Sequence, residues 1–169
     1  DYEHTMAIWK YLIESDTETK FHFEISADIL KESEIELLRK APKGRFQFEV
    51  GVQTTNNEVL RKINRHVNFE DIEQKVRELE RVKNIAQHLD LIAGLPDEDM
   101  NSFINSFNDV HKIRPDEIQL GFLKLLKGSS MREEADKYGM KFNRKPPYEI
   151  LTTSKISYFE LQRLKKVEE

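Results

Sequence analysis

The sequence predicts an α/β fold built on a parallel sheet, and two observations predict it. Segments in which apolar residues alternate with period two are separated by segments in which they recur every three or four residues, the pattern of strands joined by helices. Strand–helix–strand units of this kind pack as right-handed crossovers, which forces parallel pairing. Each of the four predicted strands also carries polar residues on one face and apolar residues on the other. Parallel strands covered by helices on both faces read as unbroken apolar runs, so one face of this sheet borders something polar.

Residues 3–14 place Met6, Trp9 and Ile13, with Tyr2, near one helical face, and Thr17-Glu18-Thr19 ends that pattern. Residues 20–26 alternate and form the first strand. Ser33 with Glu36 fits a capping box for a helix over 33–41, which Pro42 and Gly44 end. Residues 45–53 are the second strand, followed by a short helix over 57–64. Asn68 caps a helix over 69–85, with Ile72, Val76, Leu79 and Val82 on one side. Residues 87–93 are the third strand, stopped by Gly94 and Pro96. Met100, Phe103, Ile104, Phe107 and Val110 form an amphipathic helix, and Pro115 precedes a fourth strand over 117–123. Beyond that, Gly128-Ser129-Ser130 is a turn, 130–138 a short polar helix and Lys145-Pro146-Pro147 a linker. Ser157 with Glu160 caps a last helix over 158–167. The expected division is a barrel unit over 1–128 and a helical extension over 129–169.

The chain has 169 residues, a net charge of −4 and no cysteine. The charge gives no electrostatic case for nucleic acid or an anionic membrane. No apolar run approaches the roughly 20 residues that span a bilayer, and no signal peptide is visible. A cytoplasmic location is expected. The absence of cysteine excludes disulfides, thiolate metal sites and cysteine nucleophiles in this chain. Its five histidines show no metal-ligand spacing, so no metal ligand is predicted.

The polar face holds His22, Glu24 and Ser26 on the first strand, then Gln47, Glu49, Gly51 and Gln53 on the second. His88 and Asp90 follow on the third strand, and Gln119 and Gly121 on the fourth. Burying such groups without partners costs about 2–7 kcal/mol for each amide or hydroxyl. Periodicity alone leaves two readings open: the lumen of an open (β/α) barrel holding a polar ligand, or a solvated sheet face.

Three segments add a family resemblance. Phe21–Ser26 followed by Ala27-Asp28, the run from Phe48 through Gly51-Val52-Gln53 to Asn64-Arg65, and Asp90-Leu91-Ile92-Ala93-Gly94-Leu95-Pro96 resemble consecutive strands of radical S-adenosylmethionine (SAM) enzymes. The similarity is greatest to the coproporphyrinogen-III-oxidase-like and cobalamin-binding-type groups and covers roughly residues 20–128. It implies that the fold is an incomplete TIM-type (β/α) barrel. It implies SAM and a [4Fe–4S] cluster as cofactors of a parent enzyme, which abstracts hydrogen through a 5′-deoxyadenosyl radical, with a coproporphyrinogen III oxidase-like reaction as one form.

The resemblance also implies roles. Glu24 matches the carboxylate that accepts the ribose hydroxyls. Gln53 matches an amide near the ribose or methionine; end-of-strand capping is the alternative. Arg65 matches a base that grips the methionine carboxylate, and the alternative is an arginine meeting a helix dipole. Asp90 matches an acid facing SAM, or else it is the partner of Arg65. Lys124 matches a backbone position near the adenine.

The chain departs from the family in lacking the Cys-x-x-x-Cys-x-x-Cys loop and the Gly-rich strand, both of which would lie before Asp1. The expectation is therefore the later part of a barrel, inactive by itself and holding no cofactor. An uncovered Phe face and open edge at 20–26 invite self-association. Two other classes stay open: a partner-binding α/β domain, and an ordinary (β/α)-barrel lyase or hydrolase with acids at its strand ends.

Overall fold

In the computed structural model, which describes residues 2–168, four strands lie side by side in chain order and pair parallel throughout. They are β1 (Phe21–Ile25), β2 (Phe46–Gln53), β3 (Ala86–Ala93) and β4 (Glu117–Phe122). Helix α1 (Tyr2–Glu14) precedes the sheet; α2 (Glu32–Leu38) joins β1 to β2, α3 (Asn57–Lys62) and α4 (Phe69–Glu80) join β2 to β3, and α5 (Met100–Ile113) joins β3 to β4. This sequential parallel order is that of a partial (β/α) barrel.

The apolar strand face is the centre of the core. Phe46, Phe48, Val50, Val52 and Leu89 are fully buried and belong to one cluster with Trp9 of α1, Ile35 and Leu38 of α2, Ile72, Val76 and Leu79 of α4, and Phe103 and Val110 of α5. The helices thus cover one face and leave the polar one free. The Phe face of β1, expected to be uncovered, is partly buried: the Trp9 ring meets Phe23 edge-on at 6.2 Å and stacks on Phe48 at 5.7 Å. Arg45 fixes α1 there by donating to the Leu12 carbonyl in its last turn and to the Ser15 and Thr17 carbonyls just beyond it.

Two helix ends differ from expectation. The cap of α2 is at Lys31, whose N–H donates to Glu34 Oε2 at 2.9 Å, because Ser33 is engaged by Tyr2 of α1 at 2.8 Å. Helix α4 stops at Glu80, since Lys83 takes a left-handed φ of 52° and Asn84 turns inward to donate to the carbonyls of Leu38 and Ala41. Val82 is therefore exposed.

The tail carries α6 (Ser130–Glu133) and α7 (Tyr158–Glu168), and also two short antiparallel strands, β5 (Lys141–Phe142) and β6 (Ile150–Thr152). The expected Ser157–Glu160 cap is present: the Ser157 N–H and Oγ–H both donate to Glu160 Oε2, at 2.8 and 2.7 Å. The tail shares the main core through Ile150, Ile156, Leu161 and Leu164. No helix of the described residues is long and apolar enough to cross a membrane.

Candidate functional site

Strand register decides which polar side chains meet. Glu24 pairs with Glu49, Glu49 with His88, Gly51 with Asp90, and Asp90 with Gln119, so the polar residues form a ladder across all four strands. At the base of the ladder, the Gln47 and Gln119 amides converge on His88 Nδ1 at 3.3 and 3.2 Å, and His22 Nε2 lies 3.1 Å from Glu49 Oε2.

Toward the carboxyl ends of the strands the ladder opens into a recess of about 260 Å³. It is lined by Glu24, Ile25, Ser26, Glu49, Gly51, Gln53, Arg65 and Asp90. Glu24, Gln53, Arg65 and Asp90, four of the five residues singled out from the sequence, are thus brought together. Lys124 is apart from them: it is exposed, just past β4, and bridges to Glu149 of the tail.

Each member is placed by a local device. The register between β2 and β3 slips at Gly51–Gln53, and Gln53 takes a φ of 70°. This turns its amide back over the strand, where a Cβ on Gly51 would lie 2.3 Å from Gln53 Nε2 and 3.3 Å from Arg65 Nη2. Glycine there leaves room for the Gln53 and Arg65 side chains above it. Arg65 arrives from the other side. Helix α3 starts at Asn56, whose side chain accepts from the N–H groups of Glu58 and Val59. It ends on Asn64, at a φ of 61°, and the Arg65 N–H returns to the Leu60 carbonyl at 2.9 Å. The Arg65 guanidinium then lies 3.5 Å from Ser26 Oγ, and among the described residues no ion pair joins it to Asp90.

Asp90 is the electrostatic centre. Burial pushes its pKa up to about 7, and the neighbouring carboxylates of Glu49, Glu24 and Glu117 add to the rise, with a hydrogen bond shared with Glu49. Its Oδ1 is buried without a hydrogen-bond partner. Buried polar atoms are rarely left unpaired, so this oxygen marks a place where a donor belongs.

Two residues escaped the sequence reading. Glu49 was visible on the polar face, yet alternation marks every residue of that face equally. Glu98 had no signal, since in Pro96-Asp97-Glu98-Asp99 it reads as a solvated helix start. In the structure it is 1% exposed and accepts from Thr54 Oγ1 at 2.6 Å. Burial pushes its carboxyl up to about 7 against the pull of the Thr54 and Ser102 hydroxyls. Thr54 also meets Ser106 Oγ of α5 at 3.1 Å and accepts the Asn56 N–H at 3.1 Å. This network ties the exit of β2, and with it Gln53, to the start of α5.

A second cleft, of about 430 Å³, shares Gln53 and Arg65 with the recess. Ile92, Leu95 and Leu123 form its barrel side. The charged recess thus adjoins a cleft of mixed lining, where Ile92, Leu95 and Leu123 stand with Arg61, Lys62, Asn64 and Glu134, and the pair suits a ligand with a charged end and a flat ring.

The residues fit SAM. The unpartnered Asp90 oxygen, the Gln53 amide above Gly51 and the Arg65 guanidinium offer donors and acceptors for an amino acid and a nucleoside. They do not fit an iron–sulfur cluster, which needs thiolates that this chain lacks.

Comparison with known proteins agrees with the fold. The sequence profile of the radical SAM superfamily matches residues 1–110, and that of a protein family of unknown function, DUF4080, matches residues 136–169. The chain is 30% identical over 114 residues to the oxygen-independent coproporphyrinogen-III oxidase-like protein HemZ of Bacillus subtilis, covering 66% of this chain and 22% of that protein. It is 33% identical over 70 residues to a probable threonylcarbamoyladenosine tRNA methylthiotransferase of Pyrococcus abyssi, covering 41% and 16%. Among solved structures, the radical SAM methyltransferase TsrM of Kitasatospora setae, with cobalamin and a [4Fe–4S] cluster bound, superposes with a TM-score of 0.66 at 15% identity. That match covers 86% of this chain and 31% of TsrM. The chain therefore spans about a fifth of the curated relatives it matches.

Proposed function

The chain belongs to the radical SAM superfamily, and from that premise we propose that it is the SAM-positioning part of an enzyme that abstracts hydrogen from its substrate. The observation that carries the proposal is the convergence of Glu24, Gln53, Arg65 and Asp90 on one recess from three strands and the α3 exit.

The assignment follows from matching groups. Arg65 presents a planar fork of donors, the complement of the methionine carboxylate of SAM. Glu24 accepts the hydrogens of the ribose hydroxyls. Gln53, able to donate and accept, sits between them. Asp90 and Glu49 hold negative charge opposite the ammonium and sulfonium cations, and bound cations draw the Asp90 proton off at neutral pH by lowering its pKa. The apolar floor of Ile92 and Leu123 takes the adenine, with Lys124 contributing through its backbone. With an electron from the cluster, SAM bound here would supply radical chemistry; the residues of this chain bind it, orient it and exclude water.

The cluster belongs to cysteines outside this chain in the complete protein, so the chain alone is inactive in this proposal. The barrel portion ends near residue 128, and the rest is an extension. The similarity to HemZ supports a coproporphyrinogen-oxidase-like grouping. The similarity does not select a substrate, because proteins named for an oxidase-like and for a methylthiotransferase activity both match this chain.

Calorimetric titration of the complete protein with S-adenosylhomocysteine and 5′-methylthioadenosine tests the site. The wild type is expected to bind both, and Arg65→Gln to weaken S-adenosylhomocysteine at least tenfold while sparing methylthioadenosine, which has no carboxylate. A charged bond lost at about 2–3 kcal/mol sets that scale. Equal weakening of both ligands, or none, contradicts the assignment of Arg65.

A further inference from the structure

The cleft that continues the recess is closed on its far side by the tail: Ser130, Met131 and Glu134, from α6 and the residue after it, face Gln53, Ile92, Leu95 and Leu123. We propose that the C-terminal unit is part of the ligand site, with Met131 contacting the adenine ring and Arg132 acting as the positioning residue that holds α6 in place. The inference rests on the SAM reading above and deepens it.

Helix α6 has four residues and cannot hold itself in water, since helices so short do not repay their nucleation. It is held by Arg132. The Arg132 guanidinium donates to the Leu125 carbonyl at 3.0 Å and lies over two rings, Phe142 at 5.0 Å and Tyr148 at 5.2 Å. Its backbone N–H reaches Ser129 Oγ at 3.3 Å.

The rings are fixed in turn. Residues 148–150 pair with 123–125: the Leu125 N–H donates to the Tyr148 carbonyl and the Ile150 N–H to the Leu123 carbonyl, both at 2.9 Å. Leu123 lines the cleft itself. The segment matched to a family of unknown function supplies Phe142, Tyr148 and Ile150, so that unit buttresses the wall of the cleft. Met131 is half-buried and packs against the core from this wall. A thioether there is a soft surface for an aromatic ring, opposite Ile92 and Leu123.

The test uses the same two ligands with the complete protein. Met131→Ala is expected to weaken S-adenosylhomocysteine and 5′-methylthioadenosine by the same factor, about tenfold, the scale of a lost apolar pocket contact. Arg132→Ala gives the same paired loss, and Arg132→Lys, which keeps a cation over the rings, recovers part of it. Thermal melting of each variant without ligand separates a contact from a structural defect: Met131→Ala is expected to keep the wild-type melting temperature while losing affinity for both ligands, and a lost melting temperature in step with the lost affinity overturns the contact. If Arg132→Ala fails to fold, Met131→Ala and Met131→Glu decide: wild-type affinity of both variants for both ligands overturns the inference while leaving the SAM reading intact. A wild type that binds neither ligand overturns both.

Discussion

Gly51 and Gln53 share one volume, and this sets the most local prediction. A Cβ at Gly51 meets the mobile end of Gln53, not backbone, so the fold can yield while the site cannot. Gly51→Ala is expected to change the melting temperature little and to weaken S-adenosylhomocysteine by about tenfold or more, the scale of one displaced hydrogen bond to a charged group. Unchanged binding speaks against a ligand above Gly51. Asp90 makes a second prediction. Its carboxyl titrates near 7 in the folded chain and at 3.8 as a free side chain. A folded pKa raised in this way gives stability that is full below pH 3.8 and is lost as pH rises through about 7. Asp90→Asn removes that dependence, so its melting temperature should exceed that of the wild type by more at pH 8 than at pH 5. A gap that is constant or shrinks with pH contradicts the shift and its cause. Of the recess residues, Glu24 and Asp90 were legible because a strand of period two assigns its own faces, whereas the place of Gln53 also depends on the register slip after Gly51. Arg65 was legible only through the resemblance, because its position depends on the left-handed turn at Asn64 after α3. Glu98 was not legible at all: its burial comes from Thr54, 44 residues away in the chain.

At the scale of elements, the strands and the long helices follow from periodicity, and the tail does not. Strands β5 and β6 are two and three residues long, too short to show a period, and their place is set by contacts with distant elements. Gly94 is the hinge of that relation. It ends β3 with a φ of 87°, and an added Cβ would lie 2.8 Å from Ile150 Cγ2 of β6. Gly94→Ala is therefore expected to cost about 1–2 kcal/mol for the left-handed backbone and about 1–3 kcal/mol for overpacking against Ile150. Chemical denaturation measures the sum; a loss below about 0.5 kcal/mol, the scale of a neutral surface change, contradicts the packing described. Helix α4 teaches a complementary lesson. The Val82 position fits its apolar stripe, yet the buried Asn84 side chain, bound to two carbonyls of the α2 end, stops the helix before it.

For the whole molecule, a sheet that is apolar and helix-covered on one side and polar on the other is the physical basis of the proposed function. The core stabilises the strands from one side only, which leaves the other free to carry carboxylates, amides and an arginine at strand ends. The outer edge of β1 has no partner strand among the described residues. We propose that this chain, when alone, associates through that edge, since unpaired strand backbone invites pairing. Size exclusion across a concentration series should show a growing dimer fraction, and a monomer at every concentration counts against it. The central claim is that one ligand lies across the exits of β2, β3 and β4. Hydrogen exchange of the complete protein with and without S-adenosylhomocysteine tests it most directly. Slower exchange is predicted together in residues 51–56, 63–67 and 123–134, the segments that carry the recess and cleft lining at the strand exits. No change in these three segments, or protection confined to the opposite ends of the strands, would contradict the account.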